Sequence, residues 1–185
     1  MYREVEIIAE VKTKSPFGFK SEKSWDELFE IANEIGDIIS IHTDRRWGGS
    51  FELLKKARGL TTKPILAKGI HESDSLIEEA IQAGANYVLV VGRLPNIYQE
   101  KCFIEPISLT ELRTIPQDYR VVWNSRDLKT GGLKKETFSE ARKIWNGYLV
   151  QASNIKTVSD IESGADAILV GSHLLEFTES LKKEQ

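Results

Sequence analysis

Two charged residues two positions apart, Glu10 and Lys12, close the apolar run Ile7-Ile8-Ala9. Alternate side chains of a strand share a face, so Ile8, Glu10 and Lys12 point the same way, with the charges at the C-terminal end. The pattern recurs as Leu66 and Lys68, as Phe103 and Glu105, as Val122 with Asn124 and Arg126, and as Gln151 with Ser153. Isolated charges are costly to bury, so such groups must pair or serve a site. Each has a plain structural reading as well. Glu10 and Lys12 could be an ion pair, Lys68 a rim lysine whose stem alone is buried, Glu105 a solvated strand end before Pro106, and Asn124 a turn former. Repetition on five strands favours a catalytic rim. A second signal suits an anion. The run Ala167-Ile168-Leu169-Val170 leads into Gly171-Ser172, after which Leu174 and Leu175 open a helical pattern. Glycine lets an oxyanion approach the backbone, and a helix N-terminus favours negative charge. Ser153-Asn154, after the preceding strand, can add donors. The chemistry implied is acid–base work on a small phosphorylated molecule.

The elements that would hold these groups alternate along the whole chain. Strands are expected at Val5–Lys12, Ile38–Asp44, Pro64–Lys68, Asn86–Val91, Cys102–Ile107, Arg120–Asn124, Tyr148–Ser153 and Ala167–Val170. Most are rich in Val, Ile, Leu and aromatics, as parallel strands buried on both faces should be. Helical faces fall between them: Trp25, Leu28, Phe29, Ile31 and Ala32; Phe51, Leu53, Leu54 and Ala57; Leu76, Ile77, Ala80, Ile81 and Ala83, ending on Gly84; Phe138, Ala141, Ile144 and Trp145. Strands alternating with helices imply βαβ units and a parallel sheet. Eight units close as a (β/α)8 TIM barrel, an α/β fold, here one domain over residues 1–185 with its site at the C-terminal strand ends. An open doubly wound sheet would carry a glycine fingerprint after its first strand, where this chain has Thr13-Lys14-Ser15-Pro16. The chain is short for such a barrel, which has about 250 residues. The saving is expected at Gly92 to Lys101, where Pro95 leaves a loop or single turn, and at the brief fifth helix, Ser108 to Ile115.

Bulk properties narrow the partners. A net charge of −3 argues against a nucleic-acid stripe, which needs clustered basic residues. No apolar stretch approaches the ~20 residues that span a bilayer, and Met1 to Glu6 carry charges in place of a signal peptide. Cys102 is the single cysteine, so no internal disulfide forms, and a reducing cytoplasmic location fits. His42, His71 and His173 make no metal-ligand spacing with it. No metal and no cofactor is expected.

At these residues the sequence resembles the indole-3-glycerol phosphate synthase family of tryptophan biosynthesis. The likeness is carried by Ile7-Ile8-Ala9-Glu10-Val11-Lys12 with Ser15-Pro16, by His42-Thr43-Asp44 and Gly49-Ser50-Phe51, by Pro64-Ile65-Leu66-Ala67-Lys68, by Asn124-Ser125-Arg126-Asp127-Leu128-Lys129-Thr130, by Ser153-Asn154-Ile155-Lys156-Thr157 and by Leu169-Val170-Gly171-Ser172. The resemblance implies a lyase that converts 1-(2-carboxyphenylamino)-1-deoxyribulose 5-phosphate to indole-3-glycerol phosphate, releasing carbon dioxide and water, without metal or organic cofactor. By it, Lys68 is the general acid for ring closure and Glu105 the general base. Lys12, paired with Glu10, assists the acid chemistry and holds the substrate carboxylate, and its like charge would lower the pKa of Lys68. Asn124 and Arg126 orient the substrate and Glu105. Ser15, Ser153, Asn154, Gly171 and Ser172 bind phosphate. Other tryptophan-pathway proteins are the macromolecular partners that it allows.

The sequence departs from the family pattern in three places. The family has an extension before its first strand that helps roof the substrate, whereas this chain opens on that strand. Gly69 and Ile70 replace an acidic residue and an aromatic after the third-strand lysine. Ala152 and Asn154 flank Ser153 where the family has a carboxylate and a glycine. These departures keep one alternative open, a non-catalytic barrel that binds a phosphorylated ligand. A second, phosphoribosylanthranilate isomerase, would need a cysteine on the first strand, where Glu10 and Lys12 stand.

Overall fold

The computed structural model describes residues 4–185. Eight parallel strands pair in sequence order and close on themselves, β1 lying beside β8. They are β1 Glu6–Val11, β2 Ile38–His42, β3 Ile65–Lys68, β4 Tyr87–Val91, β5 Cys102–Glu105, β6 Arg120–Asn124, β7 Leu149–Ala152 and β8 Ala167–Val170. The expected strands are all present, each trimmed at its ends or unchanged. Around them lie α1 Trp25–Ile35, α2 Phe51–Leu60, α3 Asp74–Gln82, α4 Leu109–Leu112, α5 Phe138–Ile144 and α6 Leu174–Lys183.

Four of the helices begin on a side-chain cap. The Ser24, Ser50 and Ser108 hydroxyls accept from the amides of Glu27, Leu53 and Glu111, and Thr137 and Glu140 satisfy one another's amides at the start of α5. The anticipated apolar faces turn inward: Leu28, Phe29 and Ala32 of α1, Leu54 and Ala57 of α2, Ile77 and Ala80 of α3, Phe138 and Ala141 of α5. They pack on the outward residues of the strands, such as Ala9, Ile39, Ala67 and Trp123, in the larger core cluster. A second cluster fills the barrel itself, with Ile8, Leu66, Leu89, Phe103, Val122, Val150 and Leu169.

Between Gly92 and Lys101 there is only a 3-10 turn, Gln99–Lys101, and α4 is a single turn of four residues. The connection after β7 is equally brief, a 3-10 turn at Val158–Asp160 that no sequence signal announces. One expected inward residue is corrected. On β7 it is Val150 and Ala152 that face the barrel interior. Gln151 faces outward, donating to the Asp160 carbonyl and accepting from the Glu162 amide. The alternation was counted back from Ser153, but the strand ends at Ala152. Ser153 and Asn154 then take left-handed backbone, φ 74° and 59°, and the turn returns Ser153 to the rim out of phase with the strand.

Candidate active site

The inner face of β1 passes from apolar Ile8 to Glu10, which is wholly buried. Nothing but a paired charge tolerates that position, and two cations supply the pairing. Lys68, at the end of β3, donates to Glu10 Oε2 at 2.7 Å, and the Lys12 ammonium stands 3.6 Å from Oε1. Burial alone would raise the Glu10 carboxyl, but the charges of Lys68 and Lys12 overcome it and hold the group at about 2. Lys12 is lowered too, but for it burial wins. Burial lowers it, Glu10 resists, and the nearby charges of Lys68 and Arg126 add to the fall, leaving it at about 8.

Across the rim, Glu105 closes β5, 2% exposed. Burial pushes its carboxyl upward, partly offset by the charges of Lys68 and Lys134 and by a 3.4 Å hydrogen bond from Asn124 Nδ2. Asn124 is held in turn. Its Oδ1 accepts from the Ser153 hydroxyl at 2.6 Å and from the Arg126 amide at 3.0 Å, and its carbonyl accepts from Lys134. The amide group therefore cannot rotate without losing three contacts. Glu10 Oε1, beyond its ion pair with Lys12, and Glu105 Oε1 are buried with no hydrogen-bond partner among the described residues. In a site, such acceptors meet a ligand.

These groups border two adjoining clefts. The first is lined by Lys12, Ser15, Lys68, Glu105, Asn124, Arg126, Ser153 and Ser172. The second adds Glu10, Asn154 and Gly171. All eleven residues singled out in the sequence thus meet at the C-terminal rim. Gly171 has no room for a side chain, because a Cβ there would lie 3.0 Å from Glu10 Oε1 and 3.2 Å from Lys12 Nζ. Behind it, α6 begins without a side-chain cap, which leaves its first amides open to an anion. The roof comes from two loops. Lys14 and Lys20 bridge to form a small hairpin after β1. Its Phe17 packs edge-on to Trp47 at 6.2 Å and sits over Gly131 of the β6–α5 loop.

The apolar wall went unread in the sequence. Phe17, Trp47, Ile70, Leu89, Val91 and Leu128 line the first cleft, together with His42. The signal for His42 was present, since Ile38, Ser40 and His42 share the period-two face of β2 as Ile8, Glu10 and Lys12 share that of β1.

Sequence comparison decides the family. Residues 2–101 match the family model for indole-3-glycerol phosphate synthase. The indole-3-glycerol phosphate synthase of Staphylococcus aureus strain MRSA252 is 31% identical over 209 residues, covering 97% of this chain and 80% of the relative. The chain belongs to the indole-3-glycerol phosphate synthase family. The synthase of Sulfurisphaera tokodaii is 28% identical, over 96% of this chain and 81% of the relative. Among solved structures, a 3-hexulose-6-phosphate synthase superposes with a TM-score of 0.68 at 15% identity, over 95% of this chain and 99% of that one. The enzyme of that name from Salmonella typhimurium gives 0.69 at 15%, over 98% and 100%. These two share the barrel fold. The family match spans β1 to β4, and with them Glu10, Lys12, Ser15 and Lys68. The described residues contain no cluster of His, Cys, Asp and Glu able to hold a metal ion, and no helix long and apolar enough to cross a membrane.

Proposed function

We propose that this chain catalyses the indole-3-glycerol phosphate synthase reaction, as one barrel domain acting on 1-(2-carboxyphenylamino)-1-deoxyribulose 5-phosphate. The observation that carries the reading is the Lys12–Glu10–Lys68 ion-paired chain facing buried Glu105 across one cleft. The phosphate lies by Gly171, Ser172 and Ser153 at the open start of α6, with the Ser15 and Asn154 loops beside it. Lys12 takes the substrate carboxylate. Lys68 then delivers a proton to the ketone oxygen as the ring carbon attacks the carbonyl carbon, and Glu10 keeps its ammonium oriented. Carbon dioxide leaves from that ring carbon and restores its electron pair. The new hydroxyl takes a proton from a lysine ammonium of the Lys12 and Lys68 pair and leaves as water, while the neighbouring carbon gives up a proton to Glu105, which completes the indole. Asn124 fixes the Glu105 carboxylate, and Arg126 contributes positive charge near the departing groups. The chain's own acids and bases supply each proton, and its soluble, cytoplasmic setting follows from the same reading.

The experiment is product fluorescence with purified protein. Lys68→Met keeps the stem and removes the donor, and Glu105→Gln keeps the shape and removes the base. Each should lower kcat by ~10²–10⁴-fold, the usual worth of a general acid or base; the melting temperature should be little changed in Glu105→Gln and lower in Lys68→Met, which leaves the buried Glu10 carboxylate without its 2.7 Å donor. Asn124→Ala should cost less, since it acts through Glu105. A wild type without turnover that still binds substrate tightly would overturn the catalytic reading in favour of a phosphate-ligand-binding barrel. A Lys68→Met variant as active as wild type would remove Lys68 from the acid role.

A further inference from the structure

The proposed chemistry leaves one buried polar side chain of the cleft unused. His42 ends β2 on its inner face, in register with Lys68. It is 4% exposed and lines the same cleft as Lys68 and Glu105. Nδ1 is buried without a partner, and Nε2 makes no hydrogen bond among the described residues. Burial, against the pull of Glu10, pushes the imidazole down to about 3 and keeps it neutral. A neutral imidazole offers one donor and one acceptor, and here both are idle.

The ring is also held firmly. It lies flat on the Trp47 indole, centroids 5.0 Å apart and planes 4° apart. Arg46, clamped to Asp44 at 2.6 Å, lies over the same indole at 5.0 Å. Gly49 presses on the His42 backbone so closely that a Cβ would stand 2.0 Å from its carbonyl oxygen. A ring fixed by its face presents its nitrogens edge-on. The same cleft carries an apolar lining, Trp47, Ile70, Leu89 and Val91, beside the charges of Lys68 and Lys12. In the reading above, the substrate's carboxylate, ketone and phosphate are already taken by Lys12, Lys68 and the Gly171 region. The remaining polar groups, the aryl N–H and the two chain hydroxyls, lie between the ring and the phosphate, so the edge of an unsubstituted ring offers His42 no partner.

We propose that His42 is a specificity-determining residue that hydrogen-bonds a hydroxyl or amino group carried on the substrate's aromatic ring, so that this chain prefers a ring-substituted N-aryl amino-deoxyketose phosphate. This rests on the proposed function for the orientation of the substrate. A site built to hydrogen-bond a substituent rejects the analogue that lacks it, because its own polar atoms are then buried unpaired.

Calorimetric titration with ring fragments tests it apart from turnover. The probes are 2-aminobenzoate and its ring-hydroxylated and ring-aminated isomers, each in turn, against wild type, His42→Leu and His42→Gln. One isomer should bind wild type about tenfold or more tighter than the parent. The preference should vanish in His42→Leu and survive in part in His42→Gln, whose amide still donates and accepts. It is overturned if no isomer binds wild type tighter than the parent, or if the preference persists in His42→Leu. Should His42→Leu fail to fold, the wild-type series and His42→Gln still decide. The same comparison in kcat/KM uses the ribulose phosphate adducts. Fragment preference without turnover of any adduct would sink the proposed function and leave His42 standing. Turnover of the unsubstituted adduct with no preference in either assay would do the reverse.

Discussion

Two cations, Lys12 and Lys68, share one buried carboxylate, Glu10, with the charge of Arg126 acting on Lys12, and that imbalance sets how the site titrates. Glu10 is held at about 2, so it stays a carboxylate at every pH above its ordinary range and loses its charge only as pH falls toward 2. Lys12, at about 8, is the group that changes near neutrality. Its ammonium is present below that pH and lost above it, so binding of the substrate carboxylate should weaken on the alkaline side. We expect kcat/KM to fall above pH of about 8, and the limb to move upward in Lys12→Arg, whose guanidinium stays charged. The acid limb should belong to Glu105, whose carboxyl burial raises, and should disappear in Glu105→Gln. A pH profile of kcat/KM, which reports groups of the free enzyme, checks both limbs. An alkaline limb unmoved in Lys12→Arg would assign it elsewhere. Stability follows the opposite course. Between pH of about 8 and the ordinary lysine range the unfolded chain binds more protons at Lys12, so its contribution to folding improves as pH rises.

At the scale of elements, the strands place the chemistry and the short turns that follow them aim it. Gly171 follows β8, and its φ lies outside the positive range that strains an L residue, so alanine there is not strained by conformation. It is excluded by contact, since its Cβ would press on Glu10 and Lys12 at 3.0–3.2 Å. Gly171→Ala should therefore displace the ion-paired chain by a few tenths of an ångström. We expect kcat/KM to drop by up to ~10²-fold, as small misplacements of reacting groups do, while the thermal midpoint barely moves. Loss of stability with kinetics intact would contradict this. Such turn-level detail is also where sequence was least legible. Period-two counting placed Glu10, Lys12, Lys68, Glu105 and Asn124 correctly because they sit inside or directly beyond regular strands. It failed on Gln151 because the left-handed pair Ser153 and Asn154 breaks the alternation, and positive φ at non-glycine residues leaves no reliable mark in sequence. His42 was missed although the same counting on β2 reaches it. Phe17 and Trp47 were illegible for another reason. They lie on loops, and only the assembled barrel brings the β1–α1 hairpin over the β2–α2 turn.

The whole molecule was the easiest scale to read, since eight apolar runs separated by helical faces admit little besides a closed barrel. The barrel also divides labour between its ends. Active sites of this fold sit at the C-terminal face and stability at the other. The N-terminal end here is closed by Arg120, the first residue of β6. Its guanidinium lies 5.1 Å from the Tyr87 ring, 5.5 Å from Phe103 and 5.6 Å from Tyr148. The three rings come from β4, β5 and the residue before β7, so one cation gathers three neighbouring strands. Phe103 packs on both tyrosines, at 5.2 and 6.1 Å, and the Tyr148 hydroxyl donates to Glu6 of β1 at 2.9 Å. The ring of contacts thus reaches most of the way round the floor. Arg120→Met keeps much of the stem's apolar volume and removes the charge. Partly exposed cation–π contacts contribute ~0.5–1 kcal/mol each and are not additive, so the loss should be about 1–2 kcal/mol. For a chain of this size that lowers Tm by about 2–8 °C. Glu10, Lys68 and Glu105 lie at the other end of the same strands, separated from the floor by the packed layer of Leu66, Leu89, Phe103 and Val122. kcat/KM at a temperature well below the transition should therefore be unchanged in Arg120→Met. Calorimetry and the fluorescence assay on one preparation check the two halves together. A variant that melts normally but turns over slowly would show that the floor transmits to the site, and the division between the ends would not hold for this barrel.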